Sequence, residues 1–447
     1  MKRRDFVTNI MLTSGALGLG ISCNRKIKPS DTENTHPEIS NSGDGRTITE
    51  PARQIPVLAE TDVLVIGGGP AGTAAAIAAA RTGVETWLVE RYNHLGGLWT
   101  GGLVLPLLST HAIDKQKRWK QVIYGIGGEM WDRLKKLNMS IDSFNPVIDP
   151  EAGKYILDEM ISEAGINMLY HAWAVNSIMD GNLIRGVIVE SKSGRMAILA
   201  KVVIDCTGDG DVFHRAGENY STMKYHIGLV HRLGNTDRIN SKVPGFTKMN
   251  IGNPTPIPGV NWVNMRGKDD QDGIDVMNLS QLQMEYRKEI WENYEKIKQT
   301  PGYEEVFLLD TAPQIGVRMS RILDGRYKLT LEDSMTYRSF DDAIGISGAW
   351  TTILYNGKRV SRNERPMWQI PYRSLLPKKT ENLLVAGRCF CFEEGLVEDT
   401  RIIGTCLVTG QGAGAAAGLA IKEGKKLKDI DTKKLKNLLL KQGVWFG

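Results

Sequence analysis

The run Asp62-Val63-Leu64-Val65-Ile66-Gly67-Gly68-Gly69-Pro70-Ala71-Gly72 decides the fold. Val63 to Ile66 is a short apolar run with β-branched residues and reads as a buried strand. Gly67, Gly69 and Gly72 follow at once in the spacing G-x-G-x-x-G, and Ala74 to Arg81 is alanine-rich without proline, which reads as a helix. Strand, glycine turn and helix in that order form the dinucleotide-binding fingerprint. Gly67 allows the tight turn, Gly69 lets a pyrophosphate approach the backbone, and Gly72 lets the helix pack close to the strand. The helix that starts at Pro70 offers free N–H groups, from Ala71 onward, and a positive dipole end to phosphates.

Outward from this turn, Val84 to Glu90 reads as the second strand of the βαβ unit. It ends in Glu90, roughly 20 residues past the turn, where a carboxylate can accept ribose hydroxyls. A glycine turn in another kind of α/β protein is the alternative, and the completeness of the pattern argues against it. Leu95 to Gly102 is dense in glycine and marks a loop where backbone passes close to another group; Leu98 and Trp99 inside it favour packing over mobility. Ile126 to Leu137 and Tyr155 to Ala164 read as amphipathic helices, the second ended by Gly165, and Ile166 to Tyr170 as a short strand. Leu183 to Glu190 and Met196 to Ile204, joined by Ser191-Lys192-Ser193-Gly194, look like a β-meander. Its last strand runs into Cys206-Thr207-Gly208-Asp209, another strand-to-turn junction.

From about Phe213 to Pro377 the βαβ rhythm is lost. Loops rich in Pro, Asn and Gly alternate with a charged helix near Gln281 to Gln299, so this is a candidate insertion. At Asn382 to Arg388 the α/β character returns. The final helix, near Gly404 to Ile421, is expected to open on Gly410, Gly412 and Gly414 and to pack closely against a sheet or a ligand.

A length of 447 residues allows two or three domains, and 41% hydrophobic with 24% charged residues is ordinary for a globular protein. Net charge is only +5, and no basic block interleaves with aromatics, which excludes a nucleic-acid partner. The lysines of Lys422 to Lys441 read as a solvated helix face in preference to a membrane-binding one. No C-x-x-C pair and no His/Cys cluster with metal-ligand spacing is present, so no metal is expected. Cys206, Cys389, Cys391 and Cys406 read as small buried hydrophobes rather than redox thiols, with Cys389 and Cys391 on opposite faces of a strand.

Residues 1–22 read as a targeting segment. Lys2-Arg3-Arg4 is its charged part and Val7 to Ser22 its apolar part, too short and too rich in Gly and Ser to span a membrane. Arg3-Arg4-Asp5-Phe6-Val7 resembles a bacterial twin-arginine signal; a Sec-type signal is the alternative. Gly20-Ile21-Ser22-Cys23 resembles a lipoprotein cleavage box with a lipid anchor on Cys23, although Leu19 lies one place early. Residues 23–58, polar and rich in Ser, Thr, Asn and Pro, read as a flexible tether. The expected location is outside the cytoplasm of a bacterium, periplasmic or membrane-anchored.

Taken together, these motifs resemble the FAD-dependent oxidoreductases with a glutathione-reductase-type fold, and an exported bacterial branch of them, from about Ala59 to Gly447. Gly67 to Gly72 with Glu90 and Arg91 match the pyrophosphate and ribose sites. Gly96, Gly97 and Leu98 match a loop beside the pyrophosphate and ribityl chain. Thr207-Gly208-Asp209 matches the T-G-D turn, and Ala174 and Val175 the backbone offered to adenine. Asn382 to Arg388, with Arg401 to Gly414, matches the closing strand and helix; Gly387, Arg388 and Gly412 are the cofactor contacts this implies. Many relatives carry Gly-Asp where this chain has Gly387-Arg388, so the contact made by Arg388 stays open. Gln314 to Asp333 and Ile370 to Pro377 match signatures of the same branch.

The resemblance implies FAD as cofactor and an α/β architecture: a Rossmann-type FAD-binding domain, parallel sheet plus β-meander, from residues 59–212 and 378–447. An α+β substrate or cap domain, 213–377, is inserted in it. It also implies hydride transfer to or from flavin N5 on a small polar metabolite, a sugar derivative or a hydroxy or unsaturated acid. With no second G-x-G-x-x-G, electrons are exchanged with the substrate and an unidentified donor or acceptor. A redox-neutral lyase or isomerase, or a flavin electron carrier, are the alternatives. Candidate catalytic residues are Arg318 and Arg321, one helix face apart at i, i+3 and able to clamp a carboxylate, and His226 as a base. The arginines could equally bridge to Asp or Glu, and a histidine here could equally be structural.

Overall fold

The computed structural model describes residues 38–42 and 45–447. The targeting segment and Cys23 lie outside the described residues. Among the described residues before Ile55, Glu38–Ser42 pairs antiparallel with Gly45–Thr49 in a unit that ends at Gln54. The second unit runs from Ile55 to Gly447 and carries everything that follows.

Its main sheet has the strand order Trp173–Asp180, Leu183–Ser191, Gly194–Asp205, Val57–Ile66, Thr86–Val89, Asn167–Leu169. The first three strands are the antiparallel meander. The long strand Gly194–Asp205 bridges two layers of pairing. Its first half closes the meander, and its second half runs parallel to both Val57–Ile66 and Leu383–Val385. The result is a parallel core in which Val63, Leu64, Val65, Val203, Ile204, Leu384 and Val385 are almost fully buried. Burial on both faces is why these segments are continuous apolar runs rather than alternating ones, and each such side chain contributes about 1.5–3 kcal/mol.

The helices, in chain order, are α1 (Pro70–Ala80), α2 (Gly125–Lys136), α3 (Pro150–Glu163), α4 (Asp211–Arg215), α5 (Val276–Gln299), α6 (Leu331–Met335), α7 (Val397–Thr400), α8 (Ile403–Glu423) and α9 (Thr432–Lys441). Helix α1 has no polar face, because it lies between the sheet and α8 with Ala71 to Ala79 all buried. Small residues set the spacing of that helix pair. A Cβ on Gly410 would stand 2.0 Å from the Ala71 carbonyl oxygen, and one on Gly414 would stand 2.0 Å from that of Ala75. The two glycines, one turn apart, therefore allow backbone to touch backbone. Helix α8 begins at Ile403, so these glycines sit in its middle and do not open it.

Between Tyr225 and Val317 the chain builds small antiparallel sheets beside the capped helix α5, whose Asp275 side chain accepts the N–H groups of Met277 and Asn278. This region has its own apolar clusters, one around Ile227, Leu229, Trp262 and Tyr286, another around Leu233, Val263 and Tyr294. From Met319 onward the side chains join the main core again, with Ile322, Leu323, Phe340 and Ile344. Cys389 and Cys391 are buried as expected, but they follow the strand Leu383–Val385 and lie on no strand themselves. Among the described residues no single helix is long and apolar enough to cross a membrane, and no His/Cys/Asp/Glu group could hold a metal.

Candidate functional site

The C-terminal ends of the parallel strands converge, which is where open α/β sheets bind ligands. Gly67 and Gly69 follow the first strand, Glu90 and Arg91 the second, Thr207, Gly208 and Asp209 the meander, and Gly387 and Arg388 the closing strand. All of them, with Pro70, Ala71, Gly97, Leu98 and Val175, line one cavity of about 1100 Å³. That exceeds the ~300–1,000 Å³ of ordinary ligand pockets and suits a dinucleotide with a small molecule beside it.

The fingerprint glycines perform three different tasks. Gly67 has φ +99°, and a Cβ there would stand 2.5 Å from the Cys206 carbonyl oxygen. A Cβ on Gly72 would stand 1.7 Å from the carbonyl oxygen of Gly67, so this glycine is the helix–strand contact. Gly69 differs: a Cβ there would meet nothing within 4 Å, because it faces the open cavity. A cradle that a single Cβ would enter, below the start of α1, fits a pyrophosphate. Glu90 braces the turn, its Oε2 accepting the Gly68 N–H at 2.6 Å and its Oε1 that of Tyr92 at 2.9 Å. At the far end of the cradle the meander pairing skips a residue between Ala174 and Asn176. Val175 is thus the extra residue of a bulge, with its backbone released from the ladder at the cavity lining.

Asp209 is the hub of the cradle. It accepts from Ser320 Oγ at 2.7 Å and from Arg388 Nη2 at 2.7 Å, and Arg91 stands 3.9 Å away. Burial alone would raise its carboxyl, but Arg388 and Arg91 hold it below the usual range. The question left open by Gly387-Arg388 is therefore answered: the arginine comes from the closing strand and its acid from the T-G-D turn.

Four expectations are corrected. Arg318 and Arg321 share no helix face, because Arg318 lies in the turn between the strands Gly316–Val317 and Arg321–Leu323. Arg321 is buried and committed, donating to the Asp209 carbonyl oxygen at 2.8 Å and to Asp211 Oδ1 at 3.1 Å. Of the two readings of this arginine, the bridge holds and the clamp does not. Gly412 faces away from the cavity, and a Cβ on it would strike the Ile344 side chain at 2.5 Å. Gly96 does not line the cavity; its N–H donates to the Gly68 carbonyl at 2.8 Å and ties the glycine loop to the fingerprint. His226 is absent from the lining too, and burial and then Arg318 push its pKa down to about 4, so it is neutral near pH 7.

Several further residues line the cavity. Trp173, half exposed beside Ala174 and Val175, has the Arg91 guanidinium 5.1 Å from its ring centroid. His214, on α4, lines the cavity where His226 does not. Gln314 is held by His94, whose Nε2 accepts its amide at 3.2 Å while Nδ1 donates to the Leu95 carbonyl at 3.3 Å. Burial keeps that imidazole neutral and so able to accept.

Beyond the cradle the wall is mostly apolar, with Val230, Trp262, Met265, Ile315 and Trp350. Arg318 and Arg401 enter it. Arg401, between α7 and α8, is paired with Glu398, whose other oxygen accepts the Tyr225 hydroxyl. Burial and that carboxylate push the Tyr225 hydroxyl up to about 12. Arg318 makes no hydrogen bond or ion pair among the described residues, and burial and then Arg401 push its pKa down to about 10.

Fold and cradle together define a dinucleotide-binding flavoprotein architecture. The chain matches the family model for FAD dependent oxidoreductase over residues 62–230 and 226–439. It belongs to that family, and its cofactor is FAD. It is similar to the digeranylgeranylglycerophospholipid reductase of Methanocaldococcus jannaschii, 23% identical over 52% of this chain and 59% of that one. It is also similar to the thiamine thiazole synthase of Methanococcus vannielii, 31% identical over 34% of this chain and 57% of that one. The chain thus spans less than two thirds of either relative. Among solved structures it resembles a geranylgeranyl bacteriochlorophyll reductase-like protein of Thermoplasma acidophilum, at 14% identity and a TM-score of 0.44, over 86% of this chain and 84% of that one.

Proposed function

We propose that this flavoenzyme oxidises or reduces a small polar metabolite, by hydride transfer to or from the flavin, in the space between the cradle and the wall. One observation carries the reading: the cradle and the wall are one continuous cavity. A molecule against Trp262 and Trp350 then shares one space with whatever the cradle holds, which is the access that hydride transfer requires. FAD, when bound, supplies the electron-accepting or electron-donating ring. The chain's own residues hold and shield. Glu90 and Asp209 with its arginines fix the cradle, and the apolar wall excludes water.

Neutral His226, outside the cavity, is not the base of this reading. Gln314 is the polar lining group whose orientation is set by a second residue, His94. The test is anaerobic mixing of FAD-loaded protein with a panel of sugars, hydroxy acids and enoates. At least one should bleach the flavin, or reoxidise it after prereduction. A panel that does neither, on protein that chemical reductants still bleach, would sink the reading in favour of a redox-neutral enzyme or an electron carrier.

We also propose that the mature protein starts at Cys23 and is lipid-anchored outside the cytoplasm, on the support of the Arg3-Arg4 signal and the Gly20-Ile21-Ser22-Cys23 box. Cys23→Ala should release it from membranes or stall its processing. Unprocessed wild-type protein in the cytosol would contradict this.

A further inference from the structure

The wall of the cavity holds more positive charge than the chain itself neutralises. Arg318 and Arg401 both line it. They are close enough for Arg401 to be the largest charge acting on Arg318. The acid acting on both is Glu398, and it is already used: one oxygen accepts from Tyr225, the other from Arg401. Tyr225 and His226, the remaining titratable neighbours, are both neutral near pH 7. Arg266 also faces Arg318 and has its own partner, Asp269, at 2.9 Å. Two lining cations against one carboxylate leave one positive charge unmatched.

A partly buried charge with no partner in the chain is held at some cost. The unmatched charge here faces a ligand cavity, so an incoming anion can remove the cost on binding. Its size selects the anion. One surplus positive charge matches a monoanion, whereas a phosphate dianion would leave a surplus of the opposite sign. A guanidinium offers paired N–H donors to the two oxygens of a carboxylate. The same cavity is lined by Trp262, Met265, Ile315 and Trp350, with Asn264 and Gln314 among its few polar groups, which suits an apolar body better than the many hydroxyls of a sugar.

We propose that Arg318, backed by Arg401, is the subsite for the carboxylate of a small monocarboxylic acid with an apolar body, so that the substrate is a hydroxy acid or an unsaturated acid and not a sugar. This rests on the reading that the substrate enters the cavity beyond the cradle. Glu398 acts as a positioning residue, aiming Arg401 rather than touching the ligand.

The test is binding, read without turnover. FAD-loaded protein is titrated with acetate, crotonate and cinnamate, with the matching neutral amides, and with inorganic phosphate, while the visible band of the bound flavin is followed. Crotonate or cinnamate should bind at least about tenfold more tightly than its amide. Arg318→Met should keep its FAD and its melting temperature, weaken the acids by about 30-fold or more, and leave the amides unchanged. Arg318→Lys should restore part of the preference. Amides that bind as tightly as the acids, phosphate that binds more tightly than any of them, or an acid preference that survives in Arg318→Met would each overturn the proposal. Acids that bind with the expected preference but never bleach the flavin support the subsite and sink the oxidoreductase reading of it. A sugar that bleaches without any acid preference does the reverse.

Discussion

Arg321 and Arg318 stand three residues apart, and each belongs to a different region of the cavity. Arg321 belongs to the cradle. Its guanidinium has the Asp209 carbonyl and the Asp211 carboxylate as partners before any ligand arrives. Arg318 belongs to the wall and has neither hydrogen bond nor ion pair among the described residues. The contrast extends to their surroundings. In the cradle the buried arginines are answered by acids and carbonyls of the chain: Arg388 by Asp209, which Ser320 also reaches, and Arg321 by Asp211. At the wall one cation is left over. The same residue type therefore serves geometry in one region and recognition in the other. Partners, not spacing, tell them apart.

That comparison can be broken by substitution. The largest effect belongs to the packing beneath the cradle. Gly72→Val and Gly410→Val each drive side-chain atoms into backbone 1.7 Å and 2.0 Å away. They should exceed the ~1–3 kcal/mol usual for overpacking and leave little folded protein, as circular dichroism and denaturant titration would show. Stable, FAD-loaded protein from either would mean the helix pair can spread.

Next comes Arg321→Met. Leaving Asp211 and the Asp209 carbonyl without their donor should cost about 3 kcal/mol, the lower end for a broken buried pair because Asp211 is partly exposed. Arg318→Met, three residues away, should change the same denaturation midpoint by no more than about 0.5 kcal/mol. Equal losses from the two would erase the distinction between cradle and wall.

Gly69→Val sharpens the contrast inside the fingerprint. Nothing in the chain opposes a Cβ there, so the variant should fold with a near-normal midpoint and yet purify without FAD. Retained yellow colour would place the pyrophosphate elsewhere.

The smallest effect is on pH dependence. Burial pushes the pKa of His231 down to about 4 from an ordinary 6.5, and its Nδ1 is buried without a partner. A group whose folded pKa is depressed binds fewer protons folded than unfolded. Its stabilising share is complete above about pH 6.5 and drains away as pH falls toward 4. His231→Gln should flatten the stability slope in that window and leave it unchanged above pH 7. An unaltered slope would assign the acid sensitivity to other groups.

Much of the cradle was legible in the sequence because it is local. The Gly67 to Gly72 turn, Glu90 at the end of the next strand, and the Thr207-Gly208-Asp209 junction each sit just past a strand whose apolar run announces it. Pro70 and Ala71 begin a helix whose alanine content needs no tertiary information. The final helix was legible too, but not the task of its glycines. Gly410 and Gly414 are spaced to admit α1, and only the crossing of the two helices reveals that Gly412, between them, turns toward Ile344 instead of the cofactor.

What the sequence by itself determined is the fold class, the cofactor and the residues that shape its cradle, since turns, strands and helix starts are encoded over a few consecutive positions. The tertiary structure alone decided which charges are spent and which are free. Asp209 and Arg388 lie 179 positions apart in the chain, and Tyr225 and Glu398 lie 173 apart. No local pattern records such pairings. An arginine's role depends on whether an acid from a distant strand reaches it first, and that is settled only when the sheet brings the strand ends together.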